Sequence, residues 1–161
     1  MEEDRREAVC QVLRDFHMGD EWDAAIEDGI PPELASILGE MLDAYRHADI
    51  DWLLEHTDPT IVITQIAELP GARTYRGCEG FIDALLDWPL QWQDFQIEPL
   101  SLFAVGNDHL VIDGIHRGRP ASMDIEVEAQ IVFLMRWRDR RLTDWNIFMT
   151  VEEAVAAAEA R

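Results

Sequence analysis

IEVEAQIVFLMRWR, residues 125–138, decides the architecture. Ile125, Val127, Ala129, Ile131, Phe133, Met135 and Trp137 take every second position, and Glu126, Glu128, Gln130, Arg136 and Arg138 fall between them. Strand side chains alternate between two faces, so this period of two predicts a β-strand with one buried side. The same signal continues outward. A strand is predicted near 109–117, after the Gly106-Asn107-Asp108 turn. Another is predicted around 95–105, where Pro99 marks an edge or a bulge. Arg138-Asp139-Arg140-Arg141 is a tight connection to a last strand over 141–150, and VEEAVAAAEAR closes the chain as a short helix. Strands joined by such short turns pair antiparallel.

The first half is mainly helical. Leu34, Ile37, Leu38, Met41, Leu42 and Tyr45 form an amphipathic stripe, with Pro32 suited to the first helical position. Asp49 is the expected N-cap of a short helix, DIDWLLEH. TIVITQI, 60–66, reads as a β-branched strand, and ELPGARTYRG as a loop. EGFIDALLDWPLQWQDF, 79–95, reads as a helix with Phe81, Leu85, Trp88 and Trp92 on one side, kinked or broken at Pro89. The predicted class is α+β, a meander sheet with helices packed on one face. Residues 1–30 carry Val9, Val12, Leu13 and Phe16 at helical spacing among many acids, before Gly29 and Pro31-Pro32 break the chain. They are read as an acidic helical extension on a domain spanning 31–161. A disordered tail is the competing reading.

Charge excludes several functions. The 161 residues include 33 acids against 13 bases, a formal net charge of −20. Nucleic acids and anionic membranes both need cations on the protein, so neither is expected as a partner. Every basic residue is Arg, which removes Schiff-base and P-loop chemistry, since both use Lys. Cys10 and Cys78 form neither a metal-ligand cluster nor a disulfide framework. No signal peptide or 18-residue apolar run is seen. The expectation is a cytoplasmic protein without metal or cofactor.

Three local patterns, in this order, resemble the nuclear transport factor 2-like superfamily: AYRHADIDWLLEHTDPTIVIT, TYRGCEGFIDALLDW and RWRDRRLTDWNIFMTVEEAVAAA. The resemblance covers roughly residues 34–160 and is closer to the SnoaL-like polyketide cyclase and ketosteroid isomerase branch. It implies a cone: a bent antiparallel sheet wrapped around helices, with an apolar pocket at the wide end. Such domains often dimerise through the sheet, and Val132 and Leu134 on its outer face would suit a homodimer.

The resemblance also says which positions carry chemistry. The general-base Asp of ketosteroid isomerase-like members falls on Gln65, which cannot abstract a proton. Their oxyanion-hole Tyr falls on Met41, and their protonated Asp near Phe133. The Arg and two Asp residues of limonene-epoxide hydrolase-like members fall on Gly114, His116 and Ile147. What remains is His116, directed inward with Ile112, and with Gln65, Trp88, Trp92, Phe133, Trp145 and Ile147 as neighbours. Tyr45 and Ile63 complete the expected pocket lining. Two functions follow. One is a binding domain for a small apolar molecule, lacking the usual catalytic residues. The other is a cofactor-independent cyclase, isomerase or dehydratase on a small apolar carbonyl compound, with His116 as general acid/base. A plainly structural His116, solvated or satisfied in the interior, is the alternative to both.

Overall fold

The computed structural model describes residues 3–65 and 73–160. Helices α1 (Glu3–Asp15) and α2 (Glu21–Ala24) come first, followed by α3 (Pro32–Arg46) and α4 (Ile50–Glu55). The apolar stripe of α3 is buried from Leu34 to Tyr45. The Asp49 side chain caps α4 by accepting a hydrogen bond from the Trp52 N–H. Strands β1 (Thr57–Thr64) and β2 (Thr74–Arg76) precede α5 (Gly77–Leu90). Then come β3 (Trp92–Val105), β4 (His109–Pro120), β5 (Val127–Arg138), β6 (Arg141–Phe148) and the last helix, α6 (Val151–Glu159).

The strands form one sheet in the order β2-β1-β6-β5-β4-β3. From β3 to β6 it is the antiparallel meander expected from the sequence. β1 departs from that expectation. It runs parallel to β6, with Ile63 opposite Trp145. A parallel neighbour needs a long crossover, and here the chain from α5 through β5 supplies it. The predicted loop at 68–77 ends in β2, a short edge strand on β1. The rest of that loop to residue 72, and the end of the predicted strand at 66, lie outside the described residues.

The helix predicted over 79–95 stops at Leu90. Pro89 has no N–H to donate, and its ring crowds the preceding turn. The chain leaves the helix within two residues, so Trp92 opens β3 instead of extending the face of Trp88. At the other end of the meander, Ile125 is exposed and β5 begins two residues later.

Bulges in β3 bend its pairing with β4. Asp94 and Phe95 together oppose Gly118, and Leu100 is an extra residue opposite the Gly114–Asp113 step. An extra residue bends and twists a strand. Both glycines face these irregularities at close range. A Cβ at Gly118 would lie 3.1 Å from the Trp92 ring, and one at Gly114 would lie 3.1 Å from the Glu98 carbonyl oxygen.

Helices α1 to α5 contribute to one apolar core on the inner face of the sheet. The expectation that all helices lie on one side fails at α6. Its Ala154 and Ala158 cover Val111, Val132 and Leu134 on the outer face. Val132 and Leu134 are 0% and 1% exposed. They therefore serve α6 and are not an open dimer surface. Beyond that patch the outer face is polar, with Arg117 bonded to Glu98 at 2.7 Å and to Glu128 at 2.9 Å.

The first 30 residues share the main core. Val9, Leu13 and Trp22 pack into it. Residues 25–27 pair with edge strand β3 through Leu102 N–H to Ala25 O at 3.0 Å and Glu27 N–H to Leu102 O at 2.8 Å. Arg5 binds Glu79 and Asp83 of α5, Arg6 binds Asp51, and Arg46 binds Asp23. Exposed ion pairs contribute little, so apolar burial holds the segment.

Two outcomes check these placements. Leu13→Ala should cost about 2–5 kcal/mol in urea unfolding, while Arg6→Ala should leave the midpoint unchanged; equal effects would show the segment undocked. Leu134→Arg should destabilise by more than about 4 kcal/mol, as an unpaired buried charge does; a stable variant would remove α6 from that face.

Candidate functional site

The core does not close completely on itself. A cavity of about 90 Å³ remains between the inner face of the sheet, α3, α5 and the N-terminal segment. Met41 and Tyr45 of α3 form one wall, and Ala84, Leu85, Trp88 and Pro89 of α5 form another. The sheet contributes Ile112 and His116 from β4, Phe133 from β5, and Trp145 and Ile147 from β6. Gln65 reaches it from just beyond β1.

Of the residues expected from the sequence, Met41, Tyr45, Gln65, Trp88, Ile112, His116, Phe133, Trp145 and Ile147 therefore line this one space. Ile63 and Trp92 do not. Ile63 is a fully buried core residue on β1. Trp92, displaced onto β3 by the helix stop, lies behind the wall and meets Trp88 edge-on at 5.4 Å. Some further lining residues carried no usable signal for the site. Phe95 points inward because of its bulge, which no local pattern announces. Phe16, Met18 and Trp22 come from the N-terminal segment, outside the family resemblance. Ile131 and Met135 were legible, since they share the alternating stripe of Phe133.

His116 sits at the centre of the polar geometry. It is 1% exposed and caged by aromatic rings, with Phe95 and Phe133 both 5.5 Å away between centroids. The Trp88 indole Nε1–H donates to His116 Nδ1 at 3.1 Å. Burial among these rings pushes the imidazole pKa down to about 3, so the ring is neutral. Burial also raises the Tyr45 hydroxyl pKa, so it stays a phenol. The Gln65 carboxamide is oriented by the backbone of Arg73, whose N–H donates to Oε1 at 3.2 Å. Arg73 is itself fixed, paired with Asp87 at 2.7 Å and lying over the Tyr75 ring. The Trp145 Nε1–H is buried without a partner among the described residues.

Among the described residues, no Asp, Glu, Arg or Lys lines the cavity. Among the described residues, no group of three or more His, Cys, Asp or Glu side chains is placed to hold a metal. Cys10 and Cys78 are free thiols. No helix of the described residues is long and apolar enough to cross a membrane.

The His116 environment has a pH signature. The folded state holds its ring neutral down to about pH 3, while the unfolded ring takes up a proton near pH 6.5. Between those values the unfolded state binds more protons, so this contribution to stability falls as pH falls. From pH 7 to pH 5 the loss from His116 is about 2 kcal/mol. Urea titrations at both pH values should show that loss reduced by this amount in His116→Phe. An identical pH dependence in the variant would place the imidazole in solvent.

No protein-family model matches the chain, and no curated protein matches it. Solved structures do match in fold. A nuclear transport factor 2-like protein from Burkholderia xenovorans superposes with a TM-score of 0.60 at 23% identity, covering 81% of this chain and 98% of that one. A protein of ketosteroid isomerase-like fold from Catenulispora acidiphila, in complex with trimethylamine, gives 0.56 at 14% identity, covering 74% and 89%. TerC, co-crystallised with polyporic acid, gives 0.56 at 17%, covering 78% and 95%. With its curled six-stranded sheet around helices, the chain has the nuclear transport factor 2-like fold, of ketosteroid isomerase-like form.

Proposed function

We propose that this domain binds a compact, uncharged and mainly apolar small molecule in the cavity and does not transform it. The observation that carries this reading is the lining, which among the described residues is apolar and aromatic with a few neutral polar groups and no carboxylate or cation. An ionised ligand would lose its hydration there without gaining a counter-charge. The volume of about 90 Å³ is several times what one water needs, which suits a compact guest. Proteins of the same fold recorded with trimethylamine and with polyporic acid are consistent with small-molecule recognition.

The enzymatic alternative requires His116 to take up and release a proton near pH 7. Burial opposes the charged ring, and Trp88 already occupies Nδ1. Among the described residues the lining's other titratable group is Tyr45, which burial holds as a phenol.

Native mass spectrometry of the purified protein should show a retained small mass, or uptake of one from a panel of apolar compounds. Ala84→Phe fills the cavity from α5, and affinity for the same compound should fall at least about tenfold with circular dichroism unchanged. A protein that takes up no member of the panel, with unquenched tryptophan fluorescence, would make the cavity a packing defect and overturn the reading.

A further inference from the structure

We propose that Trp88 sets the polarity of the cavity, making it a hydrogen-bond donor site whose ligand is a neutral molecule carrying an acceptor, of the ketone, quinone or ester class. This inference rests on the ligand-binding reading above.

An indole N–H can only donate. Its contact with His116 Nδ1, at 3.1 Å, therefore requires a lone pair on that nitrogen. A neutral imidazole with a bare Nδ1 carries its proton on Nε2. Nε2–H has no hydrogen-bond partner among the described residues, and the ring lines the cavity. His116 is thus fixed as a donor. Trp88 acts through it as a positioning residue.

The remaining polar groups share this sense. Gln65 Oε1 accepts the Arg73 N–H with one of its two lone pairs, and the amide N–H groups have no hydrogen-bond partner among the described residues. Trp145 Nε1–H is a donor only, and it is buried and unpartnered among the described residues. The Phe133 ring stands edge-on to both His116 and Trp145, so the donors share one aromatic wall. Of the described polar side chains in the lining, only Tyr45 offers a hydroxyl oxygen as acceptor. A carbonyl oxygen satisfies such a site. A pure hydrocarbon leaves the donors unpaired, and a site built to hydrogen-bond an absent group discriminates against the analogue that lacks it.

The test uses acetophenone and ethylbenzene, similar in size and differing at the carbonyl. Two-bond ¹H–¹⁵N spectra of the free protein should show His116 with a bare Nδ1 and a protonated Nε2 from pH 8 to pH 5. The opposite tautomer would overturn the proposal. Titration should show acetophenone bound at least about tenfold tighter than ethylbenzene, with the carbonyl stretch of the bound ketone shifted to lower frequency. His116→Phe should lose both the preference, read as the ratio of the two affinities, and the frequency shift. Trp88→Phe should mix the His116 tautomers and reduce the preference. Ethylbenzene binding with no preference for the ketone would overturn the donor assignment and leave the binding reading intact. Binding of neither compound would overturn both.

Discussion

Curvature of the β3–β4 arm is the constraint on which the remaining structure depends. A flat sheet would lie against α3 and α5 and leave no interior space. Here β3 carries extra residues at two places, and β4 answers with Gly118 and Gly114 where the backbones come close. The first bulge also turns Phe95 inward beside His116. With the arm bent, α3 and α5 cannot fill the concavity, and the remaining space is lined by rings. The cavity is therefore a consequence of sheet geometry, and its chemistry follows from which side chains happen to occupy the inner face.

The N-terminal segment completes that geometry. It is strongly acidic, which as sequence suggests a solvated tail. Its charges stay largely exposed, while Val9, Leu13 and Trp22 enter the core. Its pairing with Leu102 covers the middle of β3, an edge strand that would otherwise present unpaired backbone groups. Phe16 and Met18 supply the last wall of the cavity. One short segment thus protects an edge and closes an interior, and apolar contacts bear most of the load while the arginine pairs set direction.

Periodicity made the second half of the chain legible. The alternation through Ile131, Phe133 and Met135 fixed a strand, its register and its buried face together, because a slip of one residue would expose the whole set. The register implied by the family resemblance placed His116 inward with Ile112, and both line the cavity. Features that depend on distant partners were not legible. The helix stop at Pro89 moved Trp92 to a strand. β1 reads as a strand locally, but its parallel union with β6 is set by the crossover. Val132 and Leu134 were correctly placed on the outer face, yet nothing local shows that α6 folds back over them. The Trp88–His116 bond joins residues 28 positions apart on different elements, so no motif foretells it.

On the proposed binding reading, that bond suits His116 to recognition rather than to proton transfer. With its pKa near 3, protonating His116 at pH 7 costs about 5 kcal/mol. A general base would have to recover that cost in every turnover, and among the described residues no carboxylate lines the cavity to stabilise the imidazolium. A neutral donor incurs no such cost. The Trp88 N–H holds the tautomer before any ligand arrives, so binding an acceptor requires neither ionisation nor a tautomer shift. Preorganisation of this kind lowers the reorganisation cost of association. The aromatic cage that weakens His116 as a base thus makes its Nε2–H a more dependable donor.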